Sequence, residues 1–173
     1  MPGGIILFGA NGSGKTTLGR ELARALNFKH MDIEGYYFHE AEIPYTKPRS
    51  REECAALMLA DIHKHGFFVL TACTGDFGDE ITQYYKLAVY LSAPKDLRMK
   101  RIQQRSFGQH GERVLEGGDM HEQDQGFRAW AATRDLTKID EWAKTLACPV
   151  IHADGARAIA KNAKWIAKIY NTL

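Results

Sequence analysis

Apolar residues come in short runs separated by polar, glycine-bearing turns. Ile5 to Phe8 is a continuous apolar run, the pattern of a strand buried on both faces. From Lys15 to Leu26 the period changes, with Leu18, Leu22, Ala25 and Leu26 on one helical face. Phe28 to Ile33 predicts a second strand, and Gly35 to Arg49 an irregular segment containing Pro44 and Pro48. Ser50 opens a helix to about Lys64; Glu53, three residues on, has capping-box spacing. Phe67 to Ala72 and Leu87 to Leu91 read as the third and fourth strands. A helix follows from Ala93-Pro94 through Arg105. Residues 106–120 carry Gly108, Gly111, Gly117 and Gly118 among charges, and read as a mobile surface segment. Helical pattern returns over 122–146, Pro149 to His152 is a fifth strand, and Ala156 to Tyr170 a closing helix.

Strands alternating with helices predict an α/β fold with a mainly parallel sheet and helices on both faces. Ligands of such folds bind beyond the carboxyl ends of the strands. The turns after Phe8, Ile33 and Ala72 fall there.

The first of those turns carries the chemistry. Gly9-Ala10-Asn11-Gly12-Ser13-Gly14-Lys15-Thr16 fits the phosphate-binding P-loop pattern between a predicted strand and a predicted helix. The glycines let the backbone approach a ligand, and successive N–H groups point inward as an anion nest. The new helix adds its free N–H groups and positive dipole end. Lys15 is placed to reach the outer phosphates and Thr16 to offer a hydroxyl to Mg²⁺. Residues 9–16, with Thr17, are therefore assigned to the nucleotide.

Composition narrows the class. The 173 residues fit one domain, and 45% apolar with 25% charged is ordinary for a globular chain. A net charge of +2 gives no broad basic field for nucleic acid or membrane. No stretch approaches the ~20 apolar residues of a membrane span, and the amino terminus lacks a signal-peptide pattern, so a cytoplasmic protein is expected. Cys54, Cys73 and Cys148 fit neither a zinc site nor a disulfide framework. The histidines show no ligand pattern. An Asn-Lys-x-Asp guanine signature is missing, and no strand ends in the Asp-Glu of an AAA ATPase, which is in any case usually longer.

With those classes set aside, the sequence resembles the P-loop small-molecule kinases: shikimate kinase, gluconate kinase and, more distantly, adenylate kinase. The resemblance rests on Gly-Ser-Gly-Lys-Thr-Thr-Leu-Gly-Arg-Glu-Leu-Ala at 12–23, Asp32-Ile-Glu34, Arg101-Ile-Gln-Gln-Arg105, and the length and order of elements. It spans about residues 4–155. It implies a three-layer fold with a five-stranded parallel sheet of order 2-3-1-4-5, a substrate-binding region around 34–65 and a lid around 106–120. It also implies an ATP- and Mg²⁺-dependent phosphotransferase acting on a hydroxyl or phosphate of a small metabolite. The alternative is a regulatory or partner-dependent ATPase with no small acceptor.

Under the resemblance, Asp32 is the acid that helps hold the magnesium shell and lies close to the acceptor hydroxyl. Glu34 stands where shikimate kinases carry a second, shorter acid that touches substrate. Arg101 matches the arginine that stacks on adenine; Arg105 and Arg113 match lid arginines closing on the phosphates, and Arg134 is a weaker match to another. The glycine run that shikimate kinases carry after the third strand is replaced by Thr71-Ala72-Cys73-Thr74-Gly75-Asp76-Phe77-Gly78, where Thr74 and Asp76 are the candidate polar contacts to the acceptor. Cys73 reads as a small buried residue rather than a nucleophile. Tyr36, Tyr37 and Phe38 are either an aromatic wall of the acceptor pocket or ordinary packing.

Overall fold

The computed structural model describes residues 1–173. Five parallel strands, β1 (Gly3–Phe8), β2 (Lys29–Asp32), β3 (Phe67–Ala72), β4 (Tyr85–Ser92) and β5 (Val150–Asp154), form one sheet in the order β2-β3-β1-β4-β5. This is the expected order. All six residues of β1 are buried, as its apolar run requires of a central strand. Strand alternation divides the core between the two faces. Ile6 and Phe8 pack with Met31, Met58, Leu70 and Ile139, while Ile5 and Leu7 pack with Leu18, Leu22, Val69 and Ile166.

Eight helices surround the sheet: α1 (Lys15–Leu26), α2 (Ile33–Tyr37), α3 (Arg51–His65), α4 (Asp79–Thr82), α5 (Lys95–His110), α6 (His121–Thr133), α7 (Thr137–Ala143) and α8 (Ile159–Tyr170). The α3 capping box is present: Ser50 Oγ accepts from Glu53 N at 3.2 Å, and Glu53 Oε2 accepts from Ser50 N at 2.8 Å. Helix α1 ends at Asn27, whose φ of 56° places it in the left-handed region natural to a helix terminus.

Three segments differ from the sequence reading. The stretch after Asp32 is not irregular throughout: a short helix, α2, begins at once because Asp32 Oδ1 accepts from Glu34 N at 3.3 Å and caps it. Helix α5 does not stop at Arg105 but runs to His110, tolerating Gly108, and Gly111 (φ 58°) ends it. A 3-10 turn follows at Gly111–Val114, and Val114 and Met120 are buried. Residues 106–120 therefore contain helix and core residues, not a bare glycine-rich loop. The helical stretch predicted over 122–146 is two helices, parted where Asp135 Oδ1 accepts from Thr137 N at 2.9 Å and turns the chain.

The registers fix where the site lies. Phe8 is level with Ala72, and Asp32 with Thr71, so β1, β2 and β3 release their chains at one edge. No helix is long and apolar enough to cross a membrane.

Candidate active site

Where β1 ends, Gly9 N donates to Cys73 O at 3.2 Å, joining the turns after β1 and β3. A side chain at Gly9 would run into the Leu91 carbonyl, and one at Gly12 into the backbone of Arg98, so the turn is wedged between β4 and α5. Ser13 is fully buried and its hydroxyl has no partner. Lys15 Nζ donates to Gly9 O and Ala10 O, each at 2.8 Å. Burial lowers its pKa, and Arg105 adds to the shift, while Cys73, Glu34 and Asp32 oppose it. Lys15 thus bonds two neutral carbonyls while no carboxylate bonds its ammonium.

Thr16 Oγ1 donates to Asp32 Oδ2 at 3.0 Å. Asp32 is both a helix cap, through Oδ1, and the carboxylate facing the phosphate turn, through Oδ2. A hydroxyl and a carboxylate side by side at an anion nest suit Mg²⁺, which keeps several waters and takes few protein ligands. No group of three or more His, Cys, Asp or Glu converges at this site or at any other to hold a metal by protein ligands alone.

The cleft above this turn has a volume of about 460 Å³. It is lined by Asn11–Leu18, by Asp32 and Glu34 after β2, by Cys73 after β3, and by Arg101 and Arg105 of α5. Of the predicted residues, the structure brings together the phosphate turn, Asp32, Glu34, Arg101 and Arg105. Gly9 and Ala10 reach the site through the carbonyls that accept from Lys15. Arg101 is engaged: it donates to Ser13 O at 3.2 Å and to Gly155 O at 2.9 Å, tying the turn to the loop after β5. Arg105 has no hydrogen bond or ion pair, leaving its five donors available to a ligand.

Three predicted residues are not brought to the cleft. Arg113 is paired with Asp119 through two hydrogen bonds of 2.9 and 2.7 Å. Asp76 faces Arg51 at 3.8 Å. Thr74 is not among the lining residues; Cys73 lines the cleft from that turn.

The aromatic triplet divides. Tyr36 packs against the core and donates to Asp61 Oδ2 at 2.5 Å, with its hydroxyl pKa pushed up first by burial and then by that carboxylate. Tyr37 is exposed. Phe38 lines a second, smaller pocket of about 190 Å³, which shares Glu34, Ile102, Arg105 and Gln109 with the main cleft.

Two arginines matter more than their sequence positions indicated. Arg98, nearly buried, donates to Asn11 O at 3.3 Å. Arg134 donates to Asn11 Oδ1 at 2.8 Å and lies over the Trp130 ring at 4.5 Å. The spacing Arg98-Arg101-Arg105 marks one face of α5 and was the available signal for the first. Arg134, a weaker match to a lid arginine under the resemblance, meets the phosphate turn only in the folded chain.

Fold and site together define a P-loop protein with the fold of small-molecule kinases. Residues 5–125 match the family described as an AAA domain, and the chain belongs to that family. This corrects the exclusion of that family made on length and on the missing Asp-Glu; β3 and β4 still end in Thr71-Ala72 and Leu91-Ser92. The chain is 31% identical over 159 residues to the uncharacterized protein YqaC of Bacillus subtilis (strain 168), covering 87% of this chain and 88% of that one. Shikimate kinase from Acinetobacter baumannii, solved with shikimate, has the same fold at a TM-score of 0.57 and 22% identity, covering 99% of this chain and 94% of its own. A gluconokinase from Sinorhizobium meliloti 1021 matches at 0.57 and 13%, covering 99% and 93%.

Proposed function

We propose that this protein is an ATP-dependent phosphotransferase that moves the γ-phosphoryl group to a hydroxyl or phosphate of a small metabolite. The observation carrying this reading is the Lys15 ammonium held only by the carbonyls of its own turn, 2.8 Å from each, beside the Thr16–Asp32 pair. A half-buried cation without a bonded counter-ion is arranged for an incoming anion. Helix α1 opens at the same place, so its N–H groups aim at the same anion.

In this reading Lys15 exchanges its two carbonyls for the outer phosphates. Thr16 and Asp32 hold Mg²⁺, which neutralises charge on the phosphates when bound. Arg105 closes on the transferring group from α5. Asp32 also faces the acceptor and orients its hydroxyl. Catalysis is then mainly positioning and charge neutralisation, as phosphoryl transfer requires.

Lys15→Ala tests this. Losing one preorganised charge donor costs on the order of 10²–10³ in rate. The folded variant is expected to lose ATP turnover to that degree. Near-wild-type turnover would rule the reading out. ADP formed without any phosphorylated product would instead identify an ATPase with no small acceptor.

A further inference from the structure

The second pocket lies between the segment after α2 and the helices α5 and α6. Phe38, Tyr45 and Phe127 supply aromatic lining, Gln109 and Gln123 supply amides, and Glu34 stands between it and the phosphate cleft. The segment carrying Tyr45 is firmly held. Phe38 bridges Pro48, and His39 N donates to Lys47 O at 2.9 Å. Arg49 Nη1 donates to Phe38 O at 2.7 Å, and Gln123 of α6 donates to Pro44 O at 3.0 Å.

Within that held segment Tyr45 has φ 65°, a left-handed conformation costly for a bulky residue. Such conformations persist where surrounding structure imposes them, and they gather at ligand sites. Here the imposed conformation accompanies a ring set edge-on to Phe38 at 5.3 Å, in the pocket wall. Tyr45 is exposed as a whole, but partial burial of its hydroxyl, and next the Glu34 carboxylate, push that hydroxyl above its ordinary pKa.

The charges decide what the pocket accepts. Asp124 is already answered by Arg128 at 2.9 Å and by the Ser106 hydroxyl. Arg105 is shared with the phosphate cleft, and His110 is the one other basic group in the lining. Once Arg105 turns to the phosphates, Glu34 is the charge facing an acceptor. A carboxylate placed there would meet a carboxylate at short range. A neutral ring with hydroxyls and N–H groups would instead stack on the aromatics and donate to Glu34.

We infer that this second pocket receives the phosphoryl acceptor, and that the acceptor is a neutral, ring-bearing alcohol of the nucleoside class rather than a sugar acid. The inference rests on the phosphotransferase reading above. The acceptor oxygen forms its bond to the γ-phosphorus as the bond to the β–γ bridging oxygen breaks. ADP leaves with that electron pair, and the hydroxyl proton passes to Asp32.

The test uses the whole chain with ATP and Mg²⁺. Adenosine, cytidine, shikimate and gluconate are each offered, phosphorylated product is read by mass spectrometry, and binding is read by calorimetry with Mg·ADP present. A phosphorylated nucleoside is expected. Glu34→Gln should lower its kcat/KM about 10- to 100-fold, the worth of a hydrogen bond to a charged group. Tyr45→Gly suits the backbone while removing the ring. It should leave binding of a non-hydrolysable ATP analogue unchanged and weaken nucleoside binding. Phosphorylation of shikimate or gluconate with no nucleoside bound overturns the inference and leaves the kinase reading standing. Nucleoside turnover insensitive to both substitutions overturns the pocket assignment. Nucleoside binding that these substitutions weaken, with no transfer to any acceptor, supports the pocket and overturns the kinase reading.

Discussion

The Asp32 carboxylate accepts two bonds, from Glu34 N at 3.3 Å and from Thr16 Oγ1 at 3.0 Å. The resemblance places Asp32 beside the magnesium shell, and the folded chain adds a helix cap to that placement. The cap fixes the rotamer, so the second oxygen is presented to the phosphate turn without further ordering. Asp32→Asn keeps the shape and one acceptor oxygen but removes the charge. Turnover should fall by about 10²-fold or more, the scale of a positioned acid–base group, while ATP affinity changes far less. Steady-state kinetics with both substrates varied checks this; a rise confined to the ATP Michaelis constant would remove Asp32 from the reacting centre. The phosphate turn was legible because its chemistry is local, in one run of residues. The bonds from Arg98 and Arg134 to Asn11 were not, because their partners lie 87 and 123 positions away.

Helix α5 joins the two sides of the cleft. Arg98 and Arg101 hold the turn's carbonyls, and Arg105, one turn on, faces the empty space with no partner. The resemblance assigns Arg101 to adenine stacking. Its two bonds, to Ser13 O and Gly155 O, add a fastening that requires the planar fork of arginine. Arg101→Lys keeps the charge but cannot span both carbonyls. ATP affinity is expected to drop about tenfold, the worth of one lost hydrogen bond, as read by titration calorimetry. The segment beyond Arg105 is more ordered than its glycine content predicts, for a physical reason. Four glycines weigh heavily in composition, yet Gly108 sits inside a helix and Val114 and Met120 anchor the following turn. Its proposed role as a lid then depends on breaking the Arg113–Asp119 pair, exposed on both sides and so inexpensive to exchange for phosphate. Hydrogen exchange over 106–120 should slow when an ATP analogue and Mg²⁺ bind. Unchanged exchange would leave the segment as fixed structure and Arg113 as half of a surface pair.

At the scale of the whole molecule, the strand order followed from the resemblance and the parallel sheet from the alternation of elements. Of the second pocket only the side from Glu34 to Tyr45 lay in the region that the resemblance marked, since the pocket joins residues from Glu34 to Phe127 across three separate segments. A ligand that binds only the folded chain stabilises it by about 2.7 kcal/mol at a hundredfold excess over Kd. For a chain of this size each kcal/mol shifts Tm by roughly 2–4 °C. Mg·ATP at that excess should therefore raise Tm by about 5–10 °C, and the Lys15→Ala variant should show little of this rise in the same thermal scan.

The Arg101–Gly155 bond has a consequence during synthesis. A side chain at Gly155 would strike the carbonyls of Ser13 and Ser92, and Gly155 N donates to Ser92 O at 2.6 Å, so this distant residue seals the back of the phosphate turn. The turn itself emerges from the ribosome well before Gly155. Domains fold as units while chains lengthen at about 5–20 residues per second. A nascent chain halted before Val150 carries the entire P-loop motif and lacks both β5 and the glycine that hold it in shape. Nucleotide is therefore expected to stabilise the phosphate turn only once Gly155 has been made and has docked behind it.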